Sequence, residues 1–186
     1  MEYKIYPISK DNINDFLYFF DNIAFSDHKE WEGCYCVFYH ILENDKQIDR
    51  RELAIELIKQ NKLCGYLVYL NDSVVGWCNV SDKESYPLLV SDKTLWDEKE
   101  NDKKIKSIVC FTIAPSMRSK GIATQLLTRI CSDAKNENYD FIEGYPIKKS
   151  KDNFHHYRGP VNLYKKFDFE LYKEFPDDYI YRKYLK

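Results

Sequence analysis

No run of this chain is long and apolar enough to cross a bilayer. The longest apolar-rich stretch, Leu63 to Leu70, is broken by Gly65 and falls far short of the roughly 20 residues that a spanning helix needs. Met1 to Asp11 carries Glu2, Lys4 and Asp11 and lacks an apolar core, so it reads neither as a secretory signal nor as an anchor. Neither sign of charge dominates: 28 Lys and Arg against 30 Asp and Glu leave a net charge of -2. Such a surface has no general pull on phosphate backbones or anionic lipid, which argues against nucleic acid and membrane as partners. The six cysteines, Cys34, Cys36, Cys64, Cys78, Cys110 and Cys131, are scattered, four of them in apolar stretches. They suit reduced thiols packed as small hydrophobes better than a disulfide framework, and the expected compartment is the cytoplasm. There is no internal repeat.

What is present is enough for one core. With 44% hydrophobic and 31% charged residues in a 186-residue chain, a single domain over residues 1–186 is expected. Tyr3 to Pro7 alternates apolar and polar side chains as a half-buried strand does. Ser9 or Asp11 then caps a helix over Asn12 to Ala24, where Ile13, Phe16, Leu17, Phe20 and Ile23 fall on one face. Asp49 to Asn61 repeats the pattern. Cys64 to Leu70 and Ser73 to Val80 are β-rich runs joined by Asn71-Asp72, a pair suited to a tight hairpin turn. Ser81 to Lys106 reads as a solvated, mixed-charge connection without chemistry. Ile108 to Ile113 is nearly continuous in apolar character, as a central strand is, and a helix follows from about Gly121 to Asn136. Phe141 to Tyr145, Phe167 to Phe175 and Tyr179 to Tyr184 complete the strands. Hairpins mixed with one strand-helix-strand crossover predict a mixed sheet covered on both faces.

The chemistry is carried by the segment Ile108 to Leu127. An apolar strand runs through Pro115 into Arg118-Ser119-Lys120-Gly121-Ile122-Ala123-Thr124, where an amphipathic helix begins. The unpartnered amides and partial positive charge of a helix start favour a pyrophosphate. Gly121 lets the backbone approach closely, Ala123 keeps the next turn free of bulk, and Arg118 and Lys120 add charge. A basic turn with one glycine is common, so Gly121 alone would be weak. Neither Gly-x-x-x-x-Gly-Lys-Ser/Thr nor Gly-x-Gly-x-x-Gly occurs here.

Arg118-x-x-Gly121-x-Ala123, with Ile113 and Pro115 before it and Leu126-Leu127 after it, resembles the acetyl-CoA signature of the GNAT superfamily of N-acetyltransferases, Arg/Gln-x-x-Gly-x-Gly/Ala. The order of elements over nearly the whole chain is similar too. The resemblance implies an α/β (α+β) GNAT fold, a central mixed, mostly antiparallel sheet of about seven strands flanked by helices on both faces. It implies acetyl-CoA as co-substrate, its pantetheine arm and thioester oxygen held at Phe111, Thr112 and Ile113 and its pyrophosphate on the amides of Ser119 to Thr124. Leu163-Tyr164-Lys165-Lys166-Phe167-Asp168-Phe169 resembles the family's Leu-Tyr-x-x-x-Gly-Phe ending, which implies Tyr164 as the acid that protonates the departing thiolate. Asp168 replaces the usual glycine, and Asp tolerates the left-handed conformation better than most residues. Cys34-Tyr35-Cys36 after Trp31, Gly76-Trp77-Cys78-Asn79, and Glu143-Gly144-Tyr145-Pro146 followed by Gly159 are similar to a bacterial subgroup of the family with mostly unassigned acceptors.

The implied reaction is direct attack of an amine on the thioester, with backbone donors on the developing oxyanion. Ile108 to Ile113 lacks the glutamate that many relatives keep on that strand, so Glu143 is the first candidate base, followed by His155 and His156. Cys34-x-Cys36 with His40 lacks the spacing and the fourth ligand of a zinc site, and no metal is expected. Cys110 on an apolar strand reads as inert. Phe25, Trp31, Tyr35, Tyr39, Tyr145 and Tyr157 are candidates for aromatic walls. The acceptor is a small-molecule or peptide amine; a homodimer stays open, as does a non-catalytic acyl-CoA-binding sensor.

Overall fold

The computed structural model describes residues 2–42, 48–148 and 157–186. Seven strands form one sheet in the order β1-β2-β3-β4-β5-β7-β6, with β1 Lys4–Pro7, β2 Gly65–Leu70, β3 Ser73–Asp82, β4 Ile105–Ile113, β5 Phe141–Gly144, β6 Glu170–Glu174 and β7 Tyr179–Tyr184. Only β4 and β5 run parallel; every other neighbouring pair is antiparallel. The β2–β3 turn places Asn71 at φ 49° and Asp72 at φ 63°, the double left-handed geometry that matches the twist of a hairpin.

Helices cover both faces. In α1 (Ile13–Asn22), Phe16 meets Trp77 of β3 edge to face at 5.0 Å. The neighbouring Gly76 points the other way, and a Cβ there would lie 3.2 Å from Ile122 of α4 (Ile122–Asn136), as strand alternation requires. Beside α1 lies α2 (Arg50–Lys59), started by Asp49, whose carboxylate accepts from the amides of Arg51 and Glu52 at 2.9 and 3.1 Å. Trp77 and Phe16 are fully buried, each contributing about 2–3 kcal/mol by removal from water. Two short helices, α3 (Pro87–Ser91) and α5 (Val161–Lys166), lie before β4 and β6. No helix among the described residues is long and apolar enough to cross a membrane.

The strand that matters most is β4. Its ladder with β5 runs from Ile105–Phe141 to Ile108–Gly144 and stops, because β5 ends there while β4 continues to Ile113. On its other side the register with β3 jumps from Asn79–Cys110 to Val80–Ile108, so Val109 is an extra residue, a β-bulge that bends the strand away from its neighbour. The two strands therefore part after Ile108.

The segment Ser81 to Lys106 differs from its expected role as a solvated connection. Its ends extend β3 and β4, and it buries Lys83, which is only 2% exposed. The Lys83 ammonium lies 2.8 Å from the Glu143 carboxylate, which also accepts from the Tyr145 hydroxyl at 2.9 Å and from Arg182. Arg182 completes the chain by binding Glu100 at 2.6 and 3.0 Å, its guanidinium held between the rings of Phe141 and Tyr172. Two cations and two anions alternate, so the buried set is neutral. Glu143, the expected base, is thus occupied by two cations and a hydroxyl; Tyr145 is a local partner, but Lys83 and Arg182 come from distant parts of the chain and could not be read from local sequence.

Removing one member of such a set leaves unmatched buried charge. Glu143→Ala is expected to lower the unfolding free energy by about 3–5 kcal/mol in urea titrations; a loss under about 1 kcal/mol would show that water already screens the network.

Candidate functional site

A cavity of about 800 Å³ opens where β4 and β5 part, within the range of cofactor and ligand sites. Val109 to Ile113 form its floor; one wall is built from Phe25, Trp31, Cys34 and Cys36, the other from Tyr157, Gly159 and Leu163. The end is closed by Arg118, Ser119 and Gly121 to Thr124 at the start of α4. Trp31 and Tyr157 touch across it, ring centroids 5.5 Å apart. Of the expected aromatic residues, Phe25, Trp31, Tyr39 and Tyr157 line this cavity. Tyr35 instead donates to Asp21, and Tyr145 lines a second cavity.

The helix start has the geometry of an anion cradle. Gly121 is the residue before the first turn, at φ 81°, and Ser119 is also left-handed at φ 61°. A Cβ on Gly121 would meet nothing within 4 Å, no side chain caps this helix start, and Gly121 to Thr124 line the cavity, where the first amides of a helix have no intrahelical partner. Arg118 forms a two-pronged pair with Asp27 at 2.5 and 3.1 Å; the hydrogen bonds from Arg118 hold the Asp27 carboxyl below its ordinary range. Lys120 does not line the cavity: its ammonium lies 3.7 Å from the Met117 sulfur.

The three floor residues expected to hold the acyl arm differ in what their amides do. The Ala114 amide bonds the Val75 carbonyl on β3, so by alternation Thr112 also faces β3, and Phe111 and Ile113 face the gap. The Phe111 amide is taken by the Tyr157 carbonyl at 2.5 Å. Ile113 thus keeps its orientation toward the cavity, Phe111 acts as a tether for the opposite wall, and Thr112 offers its side chain.

Tyr164 is fully buried on α5. Its ring fills the gap itself: a Cβ on Gly144 would fall 2.2 Å from it and one on Gly159 3.0 Å. Its hydroxyl donates to the Arg158 carbonyl at 2.6 Å, and burial pushes its pKa well above the ordinary phenol range, so it keeps its proton. Asp168, where the glycine was expected, adopts φ 61° and ends the α5 turn. Neither Tyr164 nor Glu143 lines the cavity, though Leu163 beside Tyr164 does, and His155 and His156 lie outside the described residues.

What the sequence reading passed over is the thiol cluster. The chain at Gly33, Tyr35 and Cys36 is left-handed, with φ 78°, 45° and 52°, which turns Cys36 onto β4. Its sulfur lies 2.9 Å from that of Cys110. The Cys36 carbonyl is held by the buried Asn79 amide at 2.8 Å, itself fixed by the Tyr86 hydroxyl at 2.7 Å. His40 is not part of this cluster: its ring packs on Tyr86 at 5.1 Å, its Nε2 has no hydrogen-bond partner among the described residues, and burial pushes its pKa down to about 4. Among the described residues, no group of three His, Cys, Asp or Glu side chains is placed to hold a metal ion.

The model of the Acetyltransferase (GNAT) family matches residues 27–169. The chain belongs to this family. Solved structures of similar fold include an N-acetyltransferase from Staphylococcus aureus Mu50, 20% identical over 100% of both chains with a TM-score of 0.60. The PaiA N-acetyltransferase of Thermoplasma acidophilum, solved with coenzyme A, is 11% identical over 99% of both chains, TM-score 0.60. A GNAT-family acetyltransferase from Streptococcus pneumoniae is 13% identical over 100% of both, TM-score 0.59. At these identities the likeness is one of fold. No curated protein matches the sequence. The seven-stranded mixed sheet with helices on both faces is thus the GNAT fold.

Two outcomes follow for this GNAT protein. Gly121→Val strains the backbone by about 1–2 kcal/mol and projects into the cradle, so acetyl-CoA affinity by calorimetry should fall about tenfold or more with an unchanged circular dichroism spectrum; undiminished affinity would move the anion site elsewhere. His40 has a folded pKa near 4 against an ordinary value of 6.5, so the unfolded chain takes up the proton first. Its contribution is complete above about pH 6.5 and is lost as pH falls toward 4. The urea midpoint should therefore drop less between pH 7 and 5 in His40→Gln than in the wild type, and identical drops would contradict the assignment.

Proposed function

We propose that this GNAT protein is an acetyl-CoA-dependent N-acetyltransferase that moves an acetyl group to a primary amine by direct attack. The observation that carries this reading is the continuity of one cavity from the first turn of α4 to the gap between β4 and β5. Amides of Ser119 to Thr124, with Arg118 beside them, hold the diphosphate. The arm lies along Cys110 to Ile113, where the Ile113 amide faces the gap and donates to the oxygen that gains charge; a fixed donor of this kind is worth about 3–4 kcal/mol. Arg118 reaches the diphosphate by exchanging one of its Asp27 contacts.

Tyr164 is the proton donor in this reading. Its raised pKa keeps the proton on the oxygen, and its ring already occupies the gap. Proton transfer needs the hydroxyl to leave the Arg158 carbonyl and turn to the sulfur. Glu143 is given a structural role. The acceptor enters from a second cavity of about 470 Å³, which shares Phe38 and Tyr39 with the first and is lined by Tyr145, Arg158, Asp92 and Asp178. Its two carboxylates against one guanidinium favour a cationic amine on approach, and its aromatic sides suit a small molecule or a peptide end.

Release of CoA thiol from acetyl-CoA, followed over a panel of small and peptide amines, tests the reading. At least one amine should give turnover, and Tyr164→Phe should lower kcat by about 10²–10³ with little change in acetyl-CoA affinity. Tight binding without release on any amine would make the chain an acyl-CoA sensor; a wild-type kcat in the variant would confine Tyr164 to packing.

A further inference from the structure

Acetyl transfer as described uses none of the thiols beside the β4 floor, yet Cys34, Cys36 and Cys110 all line the cavity. We propose that Cys36 and Cys110 are an oxidisable pair, joined by thiol–disulfide exchange with a low-molecular-weight disulfide admitted through the cavity, and that the joined pair shuts out the acyl arm. The loss of binding rests on the acetyl-CoA reading given above; the linkage does not.

Geometry makes the pair. The two sulfurs are in contact at 2.9 Å although 74 residues separate them. Asn79 enforces the contact from below: it is opposite Cys110 in the β3–β4 register and binds the Cys36 carbonyl. The left-handed backbone at Tyr35 and Cys36 turns the segment inward, and the Thr112 hydroxyl lies 3.4 Å from the Cys110 sulfur and 3.8 Å from that of Cys36. Cys78 is buried outside the cavity, and Cys64 and Cys131 do not line it either.

Cys34 is the entry point. It is less buried than its two neighbours, and a hydrogen bond from Cys36 draws its thiol down to about 7, against the desolvation that opposes it. Burial pushes the Cys36 thiol up, which makes it a poor first attacker. The Cys34 thiolate attacks one sulfur of the small disulfide, whose S–S bond breaks as one small thiol leaves. Cys36 then attacks the Cys34 sulfur and expels the second small thiol. Cys110 attacks the Cys36 sulfur in turn, and Cys34 departs again as thiolate, a better leaving group than Cys36. Two electrons pass from Cys36 and Cys110 to the small disulfide, and their two protons end on the two released thiols. The sulfurs already touch in the reduced protein, so the new bond covers nothing that was bare; it removes the freedom of the Cys36 segment to lift off Cys110 and Thr112 and let the arm lie on β4.

The test uses the full chain equilibrated in glutathione buffers of increasing disulfide content, trapped by alkylation and mapped by mass spectrometry of its peptides. Cys36–Cys110 should be the principal linkage and dithiothreitol should reverse it. Acetyl-CoA affinity by calorimetry should be weaker by about tenfold or more in the linked protein. Cys34→Ser should slow linkage about tenfold without changing its end point, and Cys131→Ser should change neither. Absence of the Cys36–Cys110 peptide in the most oxidising buffer overturns the pair, and equal affinity of the linked and reduced forms overturns the block. Failure of the reduced protein to bind acetyl-CoA would instead overturn the reading of the cavity, while the mapped linkage stands or falls by itself.

Discussion

Beyond Ile108 the amides and carbonyls on one side of β4 have lost the strand that would pair with them, and most of the site follows from how that loss is managed. An unpaired strand edge inside a protein is costly unless its polar groups find other partners. Here the Tyr157 carbonyl takes the Phe111 amide, and the Tyr164 ring fills the space where β5 would have continued. What stays open is a strip of backbone aimed at a cavity, next to a helix whose first amides face the same space. A fully paired sheet would be more uniform and could not bind along its interior.

Holding the strands apart requires that both halves of the sheet be anchored separately. On one side, β3 grips β4 along its full length, bulge included. On the other, β5 and β7 are fixed by the buried alternation of Lys83, Glu143, Arg182 and Glu100, with Arg182 between two aromatic rings. Buried ion pairs gain little over an apolar core in net stability, but they are geometrically demanding. This one ties the connection after β3 to the closing strands, directly beside the point where β4 and β5 begin to part.

The cavity combines three kinds of surface. Its far end is a helix start with a paired arginine, its middle is apolar and aromatic, and its floor carries sulfur. The first two suit a long ligand with a charged head and a thin arm. The third brings the Cys36 and Cys110 sulfurs into contact, with the Cys34 thiol beside them drawn down by a hydrogen bond from Cys36. The same left-handed turn that builds the wall brings Cys36 to the strand, so wall and thiol pair cannot be separated.

Periodicity was enough to locate α1, α2 and α4, the hairpin at Asn71-Asp72 and all seven strands, because each is written in spacings of two to four residues. The Arg118-x-x-Gly121-x-Ala123 spacing likewise marked the helix start, since φ 81° at that position is a local demand on the backbone. Partnerships across long separations were not legible in the same way. Lys83 in a polar run and Glu143 at a strand end look like surface charges until the sheet brings them within 2.8 Å, and Cys36 and Cys110 look like unrelated small hydrophobes. Local spacing was enough to set which segments are strands and helices and where α4 begins after Gly121. Tertiary structure alone decided which side chains are consumed in holding the gap open and which are left facing it, because burial and charge pairing depend on neighbours that only folding supplies.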